Sequence, residues 1–221
     1  RPKKIAQIGI GEGLFHFASK ELPNIEQVDV VEISSEMIKA WEKLSKPKSV
    51  ADSFRHEKIN LHIMDGRRFI RRAISDGEKY DLVQIGVSSP FVNGASNLYT
   101  KEMFEMIKKV LKPNGYMVLI CYTPLASTAL ESFKNVFWMG QKGKQWIFAT
   151  DKEFDDYPEN LEVKMKPWLA KLFTANTARD MNMENLNEFK QNLPLEYEGF
   201  KVEFFDQEWL KTNFPTNLDD K

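Results

Sequence analysis

Residues 5–13 read Ile-Ala-Gln-Ile-Gly-Ile-Gly-Glu-Gly, an apolar run that passes into three glycines at alternate positions. The run predicts a buried strand, and Gly9, Gly11 and Gly13 predict a tight turn at which side chains would block a ligand. Leu14 to Leu22 then continue as a helix whose free N–H groups face the turn. About twenty residues on, Val28 to Ile33 reads as a second buried strand ending in Glu32, where a carboxylate can accept two hydrogen bonds from a ribose diol. Strand, glycine turn, helix and strand-ending acid together predict a nucleoside site. An ordinary βαβ turn is the competing reading.

The 221 residues, 42% of them hydrophobic, suffice for one substantial core with room for a small appendage. The 31 basic and 32 acidic residues nearly cancel, so no global field draws nucleic acid or an anionic membrane, and nucleic acid is not an expected partner. Cys121 is the single cysteine; it cannot form an internal disulfide, which suits a reducing, cytoplasmic setting, and it is expected inside a buried strand. No apolar stretch approaches the ~20 residues that span a bilayer, and no signal-peptide pattern is present. The start at Arg1-Pro2, with a strand almost at once, reads as a piece cut from a longer protein.

Strand and helix signals alternate from there. Ser34 or Ser35 caps a helix running through Met37, Ile38, Trp41 and Leu44, and a polar loop or frayed helix, Lys46 to Arg55, precedes a third strand, Ile59 to Met64. Asp65-Gly66 ends that strand, and residues 67–75 follow as a helix with Phe69, Ile70, Ala73 and Ile74 on one face. Arg67, Arg68, Arg71 and Arg72 on its other sides read as a solvated face in preference to a phosphate site. Leu82 to Ile85 is a fourth strand, followed by a long Gly-, Ser- and Asn-bearing loop, Gly86 to Asn97, and a helix from Lys101 to Leu111. A turn at Lys112-Pro-Asn-Gly115 launches a fifth strand, Tyr116 to Tyr122. A helix, Ser127 to Phe133, leads to a hairpin of Asn135 to Met139 and Gln145 to Thr150. The chain thus divides into a Rossmann-like domain, residues 1–152, and a helical extension, residues 153–221, packed on it. In the extension, helices are expected near Pro167 to Thr174, Met183 to Leu193 and Gln207 to Asn213, and a strand near Phe200 to Phe205.

From about Lys4 to Lys152 the sequence resembles the spermidine synthase (polyamine aminopropyltransferase) family. The blocks that carry the resemblance are Ile8-Gly-Ile-Gly-Glu-Gly13, Val30-Val-Glu-Ile33, Met64-Asp-Gly66 with Phe69, and Tyr80-Asp-Leu82 running on to Leu98-Tyr-Thr-Lys-Glu-Met-Phe104 and Leu111-Lys-Pro-Asn-Gly115. The hairpin Asn135-Val-Phe-Trp138 to Trp146-Ile-Phe-Ala149 looks like that family's ending. The resemblance implies a class I methyltransferase fold, α/β, with a mostly parallel seven-stranded sheet closed by an antiparallel hairpin. It implies S-adenosylmethionine (SAM) or its decarboxylated form as co-substrate, no metal, a small-molecule amine or other acceptor, and room for a homodimer. It assigns Glu32 to the ribose, Asp65 to the adenine amino group and Glu12 to the amino end of decarboxylated SAM, with Gly9, Gly11, Gly13 and Gly66 completing the cofactor-binding set. Ordinary SAM methyltransferases commonly carry an acid where this chain has Gln7; the aminopropyltransferases carry one at the position of Glu12, so the pattern favours them.

The acceptor loop departs from the family. Where aminopropyltransferases carry an Asp-Ser/Thr-Ser-Asp-Pro stretch whose acids hold and deprotonate the diamine, this chain reads Gly86-Val-Ser-Ser-Pro90. A general base commonly contributes ~10²–10⁴-fold to rate, so putrescine activity is expected to be weak or absent. Asp81 and Glu102 are acids that could attract a cation instead, and Ser88, Ser89 and Tyr99 are the candidates for lining the acceptor pocket. Restoring Asp at 86 and 89 is expected to raise putrescine affinity if the loop follows the family's course. The family's N-terminal β-hairpin domain is missing from this chain, and similarly altered loops occur in the soluble domains of membrane-anchored relatives. The remaining readings are a SAM-dependent methyltransferase on the same fold and a non-catalytic nucleoside-binding or interaction domain.

Overall fold

The computed structural model describes residues 2–11, 14–20, 22–44, 50–87, 94–120, 123–141, 144–153 and 201–204. The first strand, β1 (Lys4–Ile8), is followed by α1 (Leu14–Lys20), β2 (Gln27–Glu32), α2 (Ser35–Leu44), the one-turn α3 (Val50–Ser53) and β3 (Ile59–Ile63). Next come α4 (Gly66–Ser75), β4 (Tyr80–Ile85), a 3-10 turn at Ser96–Leu98, α5 (Lys101–Val110) and β5 (Leu111–Ile120). Then α6 (Thr123–Leu130), β6 (Asn135–Gln141), β7 (Lys144–Thr150) and β8 (Lys201–Phe204) complete the order.

The strands form one sheet in the order β3-β2-β1-β4-β5-β7-β6-β8. Strands β1 to β5 pair in parallel, and β7 runs against both β5 and β6. This is the expected α/β sheet with its antiparallel hairpin, and β8 adds an eighth strand by pairing antiparallel with β6, Phe137 opposite Phe204. From β1 the chain crosses to β2 and β3 on one side, and the connection from β3 through α4 returns to β4 on the other side of β1. The order in which strands are added therefore reverses between the parallel neighbours β1 and β4, which opens a crevice at their carboxyl ends.

Period-two burial sends the strand residues to two cores. Ala6, Ile8, Val31, Val83 and Ile85 face α4, α5 and α6 through Phe69, Ile70, Met103, Phe104, Ala126 and Ala129. Ile5, Val28, Val30 and Leu82 face Phe15 of α1, Leu22 just beyond it and Ile38 of α2, with Phe137 and Phe148 farther along the sheet. Strands buried on both faces read as unbroken apolar runs, which is how they were legible.

Several boundaries differ from the sequence reading. The turn predicted at residues 112–115 lies inside β5: Tyr80 pairs with Leu111 and Leu82 with Tyr116, so the intervening residues bulge, with Asn114 left-handed at φ 65°. The helix expected at Ser127–Phe133 begins and ends earlier, at Thr123–Leu130. Met37 of α2 is exposed, and of the two serines offered as caps Ser34 accepts from the Met37 N–H at 3.3 Å. Cys121 and the three helices expected in 153–221 lie outside the described residues.

Candidate functional site

The glycine turn follows β1. Gly9 and Gly11 have φ of 84° and 52°, in the left-handed region that disfavours side chains. A Cβ on Gly9 would also stand 2.9 Å from Val87 Cγ2, so the turn needs glycine for contact as well as for conformation. The Ile10 N–H donates to Glu32 Oε2 at 3.1 Å, and the Ser34 N–H donates to Oε1 at 2.9 Å. Glu32 is thereby fixed, 8% exposed, beside the turn. A carboxylate offers about four acceptor positions, so with one donor on each oxygen about two remain. Glu12 and Gly13 lie outside the described residues.

Beside Glu32 the strand ends carry exposed apolar side chains that sequence reading did not single out as a site. Ile33 is 70% exposed, and Met37 of α2 and Ile63, in register with Glu32, are exposed too. Apolar surface displayed next to a fixed carboxylate suits the flat face of a base. The signal was present in the sequence: Ile33 follows the acid directly and precedes the serines that start the next helix.

Asp65 is exposed at the start of α4, and its Oδ1 accepts from the Arg68 N–H at 2.8 Å as the helix N-cap. Gly66 serves packing, since a Cβ there would stand 2.4 Å from Ile8 Cγ2. Arg67 donates from Nη1 to the Asn97 carbonyl at 3.2 Å, joining α4 to the end of the acceptor loop, while Arg68 and Arg71 are exposed.

The acceptor loop leaves β4 against the glycine turn. The Gly86 N–H donates to the Ile8 carbonyl at 2.7 Å, and a Cβ on Gly86 would meet the Gly9 carbonyl oxygen at 3.0 Å. Gly86 is not in the left-handed region; the obstacle to aspartate there is this neighbouring carbonyl, which is backbone and also electronegative. The Tyr99 hydroxyl donates to the Val87 carbonyl, and its ring is wholly buried in the core with α5. Tyr99 thus anchors the loop's first residues from below, and burial pushes its phenol well above the ordinary tyrosine range. Ser88 and Ser89 lie outside the described residues.

Asp81 is no substitute acid. It sits at the start of β4, the opposite end from Gly86, and accepts from the Lys3 and Lys4 N–H groups at 2.9 and 2.8 Å and from Lys112 Nζ at 2.9 Å. Burial alone would raise its carboxyl, but these donors hold it below the usual carboxylate range. Glu102 lies in the first turn of α5, which Thr100 caps by accepting from the Met103 N–H.

A second carboxylate on β2 was not anticipated. Asp29, 3% exposed, takes Asn60 Nδ2 at 3.1 Å and His62 Nε2 at 3.0 Å on Oδ1, and Gln27 Nε2 at 2.8 Å and the Tyr80 hydroxyl at 2.9 Å on Oδ2. Burial raises its carboxyl, yet the hydrogen bonds from His62, Asn60, Gln27 and Tyr80 bring it below the usual range. Tyr80 reaches Asp29 across β1, whose intervening position is the small Ala6, Asp29's register partner. No described helix is long and apolar enough to cross a membrane, and no described group of three His, Cys, Asp or Glu side chains could hold a metal ion.

A doubly wound sheet with a glycine turn and a strand-ending acid at its switch point defines a class I methyltransferase-type fold. Residues 1–151 match the spermine/spermidine synthase domain, and the chain belongs to that family. Among curated relatives, putrescine N-methyltransferase 2 of Nicotiana attenuata is 32% identical over 114 residues, 52% of this chain and 29% of the relative. The polyamine aminopropyltransferase of Nitrosomonas europaea is 25% identical over 154 residues, 66% of this chain and 45% of the relative. The chain therefore spans less than half the length of these relatives. Among solved structures, a spermidine synthase in complex with the transition-state analogue AdoDATO superposes with a TM-score of 0.60 at 17% identity, over 97% of this chain and 66% of that one. Human methyltransferase-like protein 13 in complex with SAH gives 0.56 at 19% identity, over 79% and 80%.

Proposed function

We propose that this domain transfers an alkyl group from SAM or decarboxylated SAM to an amine acceptor, and that simple putrescine is a poor one. The observation that carries the reading is Glu32, held rigid by the Ile10 and Ser34 N–H groups with about two acceptor positions left unused by the described residues, the number a ribose diol fills. Ile33 offers an apolar bed for the base, Asp65 an exposed carboxylate beside it, and Gly9 and Gly11 a turn without side chains. Glu12 and Gly13 complete this half of the site in the proposal.

The family's chemistry asks for little covalent work from the protein. An amine attacks the carbon beside a sulfonium, so alignment and the leaving ability of the cation supply most of the rate. What this chain lacks is the acid pair of the acceptor loop, with Gly86 packed on the Gly9 carbonyl where one acid would stand. The similarity to putrescine N-methyltransferases supports the methyltransferase reading as the second choice. Calorimetry separates the two: tighter binding of decarboxylated SAM supports aminopropyl transfer, and tighter binding of SAM supports methyl transfer. Robust spermidine formation from decarboxylated SAM and putrescine would refute the assignment of a different acceptor, and absence of any nucleoside binding would refute the site. Residues 153–221 are proposed to pack as an extension on this domain, with β8 as the described point of attachment.

A further inference from the structure

Gln7 and Gln84 are register partners on β1 and β4, side by side on one face of the sheet and 1% and 2% exposed. Their neighbours on that face, Ile5, Val28, Val30, Leu82 and Val118, are all apolar. Gln7 Nε2 donates to the Gly9 carbonyl at 3.0 Å and stands 3.9 Å from the position of a Cβ on Gly86, so its carboxamide lies beneath the meeting point of the glycine turn and the acceptor loop. The Oε1 atoms of Gln7 and Gln84 have no hydrogen-bond partner among the described residues. A buried carbonyl oxygen without a donor is costly, and two adjacent ones among these apolar strand positions mark a place where donors arrive from outside the sheet.

We infer that Gln7 and Gln84 receive the N–H groups of the acceptor amine and hold it, as the uncharged free base, at the junction of the two loops. This rests on the transferase reading above and specifies how the acceptor is held. Neutral carboxamides accept hydrogen bonds from an amine without offering a charge to stabilise its ammonium form, and a desolvated setting disfavours that form further. The proton is then lost to water before binding, and no loop acid is needed to remove it. The nitrogen lone pair forms a bond to the carbon beside the sulfonium, and the carbon–sulfur bond breaks with its electron pair passing to sulfur, leaving a neutral thioether. The alkylated nitrogen carries the positive charge and sheds its proton to solvent.

The titratable groups on elements packed against this face are few. Glu32 is engaged by Ile10 and Ser34, His16 on α1 is buried and uncharged, Lys20 lies at the end of α1, and the charged side chains of α2 are exposed. Glu12 lies in the undescribed part of the glycine turn.

The test is calorimetric titration of butylamine into the full chain saturated with methylthioadenosine, which has no amine chain of its own, between pH 7 and 9. The expected affinity rises roughly tenfold per pH unit, as the free-base fraction does below an amine pKa of about 10.4. Gln84→Met should weaken the amine at least tenfold while leaving methylthioadenosine unchanged, and Gln84→Glu should flatten the pH dependence by accepting the ammonium. Gln7→Met serves as the second variant, with methylthioadenosine affinity reporting whether the glycine turn survives. Amine affinity that is independent of pH, or that both methionine variants leave intact, overturns the inference. So does a loss confined to decarboxylated SAM, which would assign the pair to the co-substrate's own amine. If the unmodified chain fails to bind methylthioadenosine, it is the nucleoside reading that has failed.

Discussion

Asp29 and Glu32 are two buried carboxylates on the same strand, three residues apart and therefore on opposite faces of the sheet. Asp29 takes two side-chain donors on each oxygen, which fills its acceptor capacity, and the donors come from β2, β3 and β4. Glu32 takes one backbone N–H on each oxygen and, among the described residues, keeps about half its capacity. Burial alone does not distinguish a structural acid from one proposed to bind a ligand. The count of unused acceptor positions does, together with the place: Asp29 is mid-strand under α4, and Glu32 is at the carboxyl end where the sheet opens. His16 extends the series to its other limit, since it is wholly buried, stacked on Phe54 at 4.8 Å, with no hydrogen-bond partner on either ring nitrogen among the described residues.

The largest effect expected from breaking this comparison is on Asp29. Asp29→Ala strands donors from three strands in a dry layer and should remove about 3–5 kcal/mol of stability in denaturant unfolding, with nucleoside affinity of the folded fraction unchanged. Equal loss of binding and stability would mean that the two acids are not separable. Glu32→Ala should do the reverse: at least a tenfold loss of methylthioadenosine affinity, because charge-assisted bonds are worth up to ~1.5–3 kcal/mol each, with a smaller cost in stability of about 1 kcal/mol. Unchanged affinity would remove Glu32 from the site.

His16 should give the next effect, through pH. Burial, with Lys20 nearby, holds its folded-state pKa at about 3, far below the ordinary value of 6.5. The unfolded chain therefore takes up this proton first as pH falls, so stability is full above 6.5 and declines below it. From pH 6.5 to 5.5 the loss should be roughly 1 kcal/mol in chemical unfolding, and His16→Phe should abolish that dependence. A histidine-independent slope would show that the ring is solvated in the folded protein. The smallest effect is expected at Asp65, where cap and base contact must be separated. Asp65→Ser retains a cap and should leave stability within about 0.5 kcal/mol while losing the preference for adenosine over inosine analogues. An equal loss for both analogues would contradict the adenine assignment.

The same series explains what was legible beforehand. Glu32 announces itself because it ends an apolar run about twenty residues after a glycine turn, a spacing fixed by one βαβ unit. Asp29 does not, because its partners Asn60, His62 and Tyr80 come together only when β3 and β4 are laid beside β2 and β1. Gln7 drew notice only as the place of an absent acid, and its pairing with Gln84 was silent for the same reason, the two being 77 positions apart in the chain and adjacent in the sheet. Gly86 was read as a missing acid, and only its approach to the Gly9 carbonyl shows that the position has little room for one.

By itself the sequence determined the strand and helix order of the sheet, the burial of its central strands on both faces and the glycine turn at the end of β1, because each follows from local periodicity and from glycines that alone tolerate the turn's left-handed backbone. The placement of Asp81 at the far end of β4, the burial of Tyr99 beneath the acceptor loop and the pairing of β8 with β6 were decided by tertiary structure. Each depends on which chain segments become neighbours across the sheet, and contacts between residues distant in sequence leave no periodic trace within either segment.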